Sequence, residues 1–275
     1  MKKIWALMAV GLGIVYCFVQ NNRIQVEPIK VKRKDLPQEL EGFKIVHLSD
    51  LHLPHNASNI ENLIQLVKKQ KPDLIVMTGD IIDRKAKIQT CGLSKLCRGL
   101  VKLCPVYGVT GNHEQTSRIL VDFKKILIKS GVQLMDQTYK IMTVGSVKIA
   151  VMGLVDDESY NVDFLENPEL KTSKYNILLV HRPLLWQKDL TRLQPDLVFN
   201  GHEHGGQVRI PFMGGLISHE QGFFPKYTSG LYVDKNQKST VISRGLSSTL
   251  MLRINNRPHL PVITLTQEQK HDKKP

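Results

Sequence analysis

Five short segments gather side chains that can hold a cation or move a proton. They are Asp50-Leu51-His52, Gly79-Asp80-Ile81-Ile82-Asp83, Gly111-Asn112-His113-Glu114, His181, and Gly201-His202-Glu203-His204. The donors are carboxylate, imidazole and amide, with no thiolate. That mix suits Zn, Mn, Fe or Co better than a structural cysteine-zinc site. In an extended segment residues two apart point the same way, so Asp50 and His52 can reach one ion together. His202 and His204 have the same spacing, beside glycines that let the backbone approach closely. Singly, each has a plainer reading: Asp50 or Asp80 can cap a helix, His113 can sit in a turn, and His181 can be a satisfied core histidine. Together, five of the ten histidines fall in these segments, and each segment follows a stretch that reads as a strand. Capping alone would need a separate coincidence at each strand end.

The elements that must present these residues follow from periodicity. Residues 43–48, 73–78, 105–110, 175–180 and 196–200 are short apolar runs that read as strands. Residues 56–70, 90–103 and 117–129 read as helices. The order up to residue 129 is β-α-β-α-β-α, which predicts a sheet with helices packed on its face. Residues 139–144 and 147–154, joined by Gly145-Ser146, predict a hairpin. Shorter strands are expected at 208–210, 239–243, 249–254 and 262–265. The expected fold class is α/β, with two packed sheets flanked by helices.

A chain of 275 residues, 41% hydrophobic, supports a large catalytic domain and excludes disorder for its bulk. The net charge of +13, from 38 basic and 25 acidic residues, favours an anionic partner: a lipid surface, nucleic acid or a phosphorylated substrate. Cys91, Cys97 and Cys104 lie at spacings of six and seven, which do not fit common zinc patterns, so they read as packing residues. At the N-terminus, Lys2 and Lys3 precede an uncharged run from Ile4 to Val19. Extended to Asn22, the run is long enough for one spanning helix. No small-residue cleavage pattern follows it, so residues 1–22 are expected to be an uncleaved membrane anchor or signal-anchor. Basic residues flank it on both sides and set no orientation across the membrane. Residues 23–42, basic and with two prolines, read as a tether. The catalytic domain is then expected over 43–266, with a polar tail over 267–275.

The five segments resemble, in order, the signature of the calcineurin-like metallophosphoesterase superfamily: DxH, GDxxD, GNH(D/E), H and GHxH. The resemblance spans Asp50 to His204. It implies a four-layer αββα sandwich of two mixed sheets, with two divalent ions (Mn, Zn, Fe or Co) at the sheet ends. Carried over residue by residue, it puts Asp50, His52 and His204 on one ion and Asn112, His181 and His202 on the other. Asp80 would bridge them. His113 would contact the phosphate and act as general acid, and Asp83 would hydrogen-bond and orient it. Two ions about 3.5–4 Å apart would clamp a phosphate for in-line attack by an activated water, with no covalent enzyme intermediate.

A narrower likeness continues through Gly205-Gly206-Gln207-Val208-Arg209-Ile210-Pro211, Gln221 to Tyr227, Gly230-Leu231-Tyr232 and Arg253 to Pro258. These stretches resemble the membrane-anchored, YkuE-like bacterial branch, some of whose members hydrolyse the pyrophosphate of UDP-diacylglucosamine. The likeness implies a phosphodiester or pyrophosphate substrate, lipid-linked or nucleotide-linked, met at a membrane surface with lipid contact through the N-terminal segment. His259 stands where the branch leads one to expect an acid, and no role is assigned to it. A nuclease or phosphomonoesterase of the same superfamily is the alternative. The basic residues are scattered and no nucleic-acid module is added, which weighs against nucleic acid. A non-enzymatic scaffold would be expected to have lost ligands or the catalytic histidine, and none is missing.

Overall fold

The computed structural model describes residues 2–55, 59–185, 187–218, 220–247 and 253–268. Helix α1 (Lys2–Asn22) leads into β1 (Gln25–Arg33), then β2 (Lys44–Leu48), α2 (Ile60–Gln70), β3 (Leu74–Thr78), α3 (Leu93–Leu100) and β4 (Val106–Val109). Next come α4 (Asn112–Gln115), α5 (Leu120–Lys129) and β5 (Gln133–Leu134). The second half holds β6 (Thr138–Val144), β7 (Val147–Gly153), β8 (Tyr175–Leu179), α6 (Leu190–Leu193) and β9 (Leu197–Asn200). It continues with β10 (Arg209–Ile210), β11 (Gly214–Gly215), β12 (Ile217–Ser218), β13 (Gly222–Phe223), β14 (Gly230–Val233), β15 (Ser239–Ile242) and β16 (His259–Gln267).

Two six-stranded sheets result, in the orders β1-β16-β2-β3-β4-β5 and β14-β15-β9-β8-β7-β6. Strands β2 to β5 are mutually parallel, as are β15, β9, β8 and β7. The C-terminal ends of β2, β3, β4, β8 and β9 deliver the segments singled out above. The expected hairpin is β6–β7. Strand alternation divides the core. Ile45, Leu74 and Val76 pack against Ile149, Val151, Ile177 and Phe199 between the sheets. Val46, Ile75 and Met77 face the opposite way, onto Leu63 of α2, Leu96 of α3 and Phe123 of α5. Helix α2 buries Ile60, Leu63, Ile64 and Val67, one stripe at helical spacing. Cys91 and Cys97 are buried in the same cluster and Cys104 packs on its edge.

The outer face of the second sheet differs from the sandwich expectation. Met152, Leu178 and Val198 are covered by Tyr160, Val162 and Leu193. The cover consists of single 3-10 turns at Asp163–Glu166 and Pro168–Thr172 and the four-residue α6. Pro168 disfavours the helical region for the residue before it, and Asn167 (φ −66, ψ 121) is extended, so the turn at Asp163–Glu166 ends there.

The tether reading of residues 23–42 needs correction, and with it the start of the domain at 43. Gln25–Arg33 is an edge strand running parallel to β16 for its whole length. Ile29 and Val31 are buried while Pro28, Lys30 and Lys32 are exposed, so the two lysines lie on the outer face of an alternating strand. Pro28 is tolerated because an edge strand has one unpaired side. Arg33 bonds Asp196 at 2.8 Å, and Arg244 Nη1 donates to Glu27 at 3.0 Å, both across to the second sheet. His259 sits between the Arg244 N–H, at 3.1 Å from its Nδ1, and the Glu27 carboxylate, 3.1 Å from its Nε2. The acid expected at 259 is thus met from β1.

No helix among the described residues is long and apolar enough to cross a membrane, so the expected spanning anchor over 1–22 finds no support in the fold. Helix α1 instead shows a docked C-terminal turn: Asn21 Oδ1 accepts from Arg253 N at 2.9 Å, and Asn21 Nδ2 donates to Arg253 O at 3.3 Å. Most of the strand expected at 249–254, the first residues of the helix expected from 56, and the tail beyond 268 lie outside the described residues.

If β1 is part of the core, Val31→Ala should lower stability by about 2–3 kcal/mol in a denaturant titration, as a cavity in a buried site does. A residue in a slack tether would change it by no more than about 0.5 kcal/mol.

Candidate metal centre

The loops that follow β2, β3, β4, β8 and β9 converge above the seam between the sheets. Their backbones are unusual. Asp50 (φ 52), His52 (φ 47), Asp80 (φ 51), His202 (φ 71) and His204 (φ 46) all occupy the left-handed region, which non-glycine residues rarely adopt. The turns also need close approach. A Cβ on Gly111 would collide with the Asp80 carboxylate, and one on Gly201 with Ser49 and Asp50. These motif glycines are where the loops touch.

Glu114 holds two of the loops together, a role the sequence reading missed. It is fully buried and accepts N–H groups from Asp80 (2.8 Å), Ile82 (3.0 Å) and Gly111 (2.8 Å). Burial, and then the charge of Asp80, push its carboxyl up to about 8 against those donors. The signal was present: an acid three residues after Gly111 is half of a capping box.

Among the described residues, three overlapping groups of side chains could hold ions: Asp50, His52 and His204; His52, Asp80 and His113; and Asp80, His181 and His202. Asp80 Oδ2 lies 3.4 Å from His181 Nε2, 4.0 Å from His52 Nε2 and 3.9 Å from His113 Nε2. His52 Nε2 and His204 Nε2 are 3.4 Å apart, and Asp50 Oδ1 is 3.7 Å from His204 Nε2. Asn112 Oδ1 is 3.0 Å from both His181 Nε2 and His202 Nδ1, which are themselves 3.2 Å apart. Donors that each sit about 2.1 Å from one ion are spaced about 3 Å from each other, so these separations fit. Ring nitrogens aimed at each other across such distances repel unless a proton or a cation lies between them. The tautomers agree: His181 Nδ1–H donates to Thr78 O at 2.6 Å and His204 Nδ1–H to Ser247 O at 3.2 Å, leaving both Nε2 lone pairs turned inward.

The electrostatics point the same way. Burial pushes His52 down to about 3, His202 to about 2, and His204 well below the usual imidazole range. Burial would raise Asp80, but His181, His52 and His113 outweigh it and hold the carboxyl far below its usual range. Burial acts to lower His181, and Asp80 reverses that and raises it. Asp50 is pushed up to about 6, chiefly by burial. An ionised carboxylate among mostly neutral imidazoles is the state that metal binding requires.

His113 is partly exposed, and its ring lies edge-on to His52 with centroids 4.5 Å apart. Its Nδ1 accepts the Arg84 N–H at 3.3 Å. Asp83 is close, but its Oδ2 is 3.7 Å from Nδ1, beyond hydrogen-bond length, and its Oδ1 accepts from Lys85 N. The expected Asp83–His113 hydrogen bond is therefore not made, because the Arg84 backbone occupies that nitrogen. Every other residue expected at the site is in the cluster.

A cavity of about 510 Å³ opens on the cluster, bounded by Asp80, Arg84, His113, Gln207 and Ile217. A second cavity of about 300 Å³, under α1 and lined by Leu51, Leu53, Leu63 and Leu246, contains no titratable side chain but Arg23. The chemistry belongs to the first. Behind His204, Asn256 Nδ2 donates to His204 O (2.7 Å) and Gln207 O (3.0 Å), and Arg253 Nη2 donates to Ser247 O. Behind His202, Glu220 lies 3.6 Å from Nε2 and pairs with Arg182 at 3.1 Å. The 253–258 segment carried no assigned role in the sequence. Its part is to clamp the His204 loop.

Residues 43–206 match the family described as calcineurin-like phosphoesterase. Over 269 residues the chain is 31% identical to the uncharacterized metallophosphoesterase YkuE of Bacillus subtilis, spanning 94% of this chain and 91% of that one. It is 26% identical over 228 residues to phosphodiesterase YaeI of Escherichia coli, spanning 81% and 82%. Among solved structures, TT1561 of Thermus thermophilus aligns with a TM-score of 0.51 at 14% identity, covering 74% of this chain and 90% of that one, a likeness of fold alone. The matched segment contains all five motif blocks and the whole of the cluster, and the chain belongs to the calcineurin-like phosphoesterase family.

Proposed function

We propose that this phosphoesterase is a dinuclear metal enzyme that cleaves a phosphodiester or pyrophosphate bond of a lipid-linked or nucleotide-linked substrate at a membrane surface. The observation that carries the dinuclear reading is Asp80, whose one oxygen lies within 4.0 Å of imidazoles from two ligand groups. Asp50, His52 and His204 would hold one ion, Asn112, His181 and His202 the other, with Asp80 shared. When bound, the ions supply charge to the phosphate oxygens and a nucleophile at neutral pH. Their identity is open among Mn, Zn, Fe and Co, all of which accept this nitrogen and oxygen donor set.

The chain's own residues supply the rest. His113 turns Nε2 toward Asp80 at the cavity floor; the form that can act as an acid is the imidazolium, whose Nδ1–H would face Asp83 and whose Nε2 proton would face the cavity. From there it can be given to the leaving oxygen. The Asp83 carboxylate at 3.7 Å steadies the ring while it carries charge. Arg84 lines the same cavity and offers a cation to a phosphate oxygen. Ile217 and Ser218 line the same cavity.

The diester preference rests on the likeness to YaeI of Escherichia coli, a phosphodiesterase. The membrane reading rests on the net charge of +13 and on helix α1, which exposes Trp5, Met8, Val15 and Phe18. Residues 1–22 would attach the protein to the bilayer. Turnover of UDP-diacylglucosamine against a simple phosphodiester and a phosphomonoester, with Mn, Zn or Co, tests the substrate class.

Asp80→Asn removes the shared charge. Elemental analysis should find about two metals per chain in the parent supplied with Mn, and fewer in the variant. A parent that binds none ends this reading. His113→Ala should keep its metals and lose about 10²–10⁴-fold in rate on alkyl esters. The loss should be smaller on nitrophenyl esters, whose leaving group needs no proton. Equal losses on both would move His113 from proton transfer to phosphate binding, and loss of metal would make it a ligand. Asp83→Asn should show the same ordering in milder form.

A further inference from the structure

Outside helix α1, nine large apolar side chains stand exposed among the described residues, and five of them fall within 212–224. They are Phe212, Met213, Ile217, Phe223 and Phe224, with Phe212 fully exposed and Phe223 at 73%. So many exposed apolar groups in so short a stretch mark an interaction surface. The backbone adds to the case. Phe212 (φ 68) and Phe224 (φ 51) are in the left-handed region, which bulky residues avoid.

The two small hairpins that carry them, β10–β11 and β12–β13, are fastened to the site. Ser218 Oγ donates to Glu203, between the ligands His202 and His204. Leu216 N bonds Val208 O at 2.8 Å, and Phe224 N bonds Leu216 O at 2.9 Å. Ile217, Ser218 and Gly222 line the cavity itself, so the apolar tips border its mouth. On the other side the hairpins adjoin α1. Asn255 Nδ2 donates to Arg209 O at 3.2 Å, and the Tyr16 hydroxyl of α1 donates to Asn255 Oδ1. The exposed apolar residues of α1 therefore approach the same region.

Charge indicates the partner. Among the described residues of 209–227 the charged ones are Arg209, Glu220 and Lys226, and Glu220 is paired with Arg182. Arg84, across the cavity, and its neighbour Lys85 are exposed. Apolar tips with few acids in their stretch, on a chain of charge +13 and beside a cavity that Arg84 lines, fit an anionic lipid surface. They fit a second copy of a chain of charge +13 poorly, since the two would repel.

We propose that Phe212-Met213 and Phe223-Phe224 insert into an anionic bilayer and seat the cavity mouth on the membrane. A lipid-linked phosphate then reaches the cluster without leaving the interface. The proposal rests on the membrane-surface reading above, and it adds a second lipid contact independent of α1.

The test uses the full chain with metals. Phe212→Trp and Phe223→Trp are each placed in a Trp5→Phe background, leaving only Trp186 as the native reporter. Emission is read with vesicles of three parts phosphatidylcholine to one part phosphatidylglycerol, with and without brominated acyl chains. Both variants should shift to the blue and lose about twofold of their emission to bromine, as groups seated at the acyl boundary do. The Trp5→Phe chain alone should not, and purely phosphatidylcholine vesicles should give less. Metal content equal to the parent's shows that the variants are folded. In the unmutated chain, quenching of Trp5 reports α1 separately. If Trp5 is quenched and the hairpin tryptophans are not, the hairpin contact is wrong while the membrane reading survives. If none is quenched, both fall. A blue shift that grows with protein concentration in the absence of vesicles would assign the patch to a second copy and overturn the proposal.

Discussion

The centre of this protein is one carboxylate almost wholly withdrawn from solvent. Asp80 is 2% exposed, and the groups nearest to its Oδ2 are imidazole nitrogens from three other loops. An isolated charge in such a place would cost far more than a domain's whole stability, so it persists only with compensation. Part comes from the N–H of His113, which donates to Asp80 Oδ1 at 2.8 Å. The rest calls for positive charge in the middle of the cluster, where the lone pairs of His52, His181, His202 and His204 also point.

That requirement explains the architecture around it. Carboxylate and imidazoles come from loops at the same ends of parallel strands in two different sheets. The sheets must be locked together at this end. Thr78 of β3 accepts from His181, which follows β8, and Gly79, Gly111 and Gly201 let neighbouring loops lie against each other. Glu114 then ties the Asp80 loop to the Asn112 turn through three backbone N–H groups. Backbone strain at Asp50, His52, Asp80, His202 and His204 is sustained by this surrounding lattice of bonds.

Much of this was legible because ligand chemistry leaves narrow marks. Asp50-x-His52 and His202-x-His204 declare themselves by residue type and spacing, and the strands before them by apolar runs. What stayed hidden depended on long-range pairing. Lys30, Lys32 and Arg33 made 23–42 resemble a solvated linker, yet every second residue is turned into the core by pairing with β16, more than two hundred residues away. The Asn21–Arg253 and Asn256–His204 bonds join segments with no local signal of each other. The Asp83–His113 bond failed for a local reason: a backbone N–H one residue on reached the imidazole first. The thin layer over the second sheet is built from single-turn crossovers, one of them ended by the extended residue before Pro168, which apolar patterning does not register.

The pairing of β1 has a mechanical meaning. A slack linker would let the catalytic body sample many heights and tilts relative to whatever holds helix α1. Here only Arg23 and Ile24 separate the helix from the strand, and Arg257 grips both, donating to Arg23 O at 2.9 Å and Ile24 O at 3.2 Å. Helix and sheet therefore form a bracket with little play. Wherever α1 is fixed, the metal cluster stands off from that support by a distance written into the fold. A substrate whose phosphate sits at another height would have to move to the site, because the site has no leash on which to go to it.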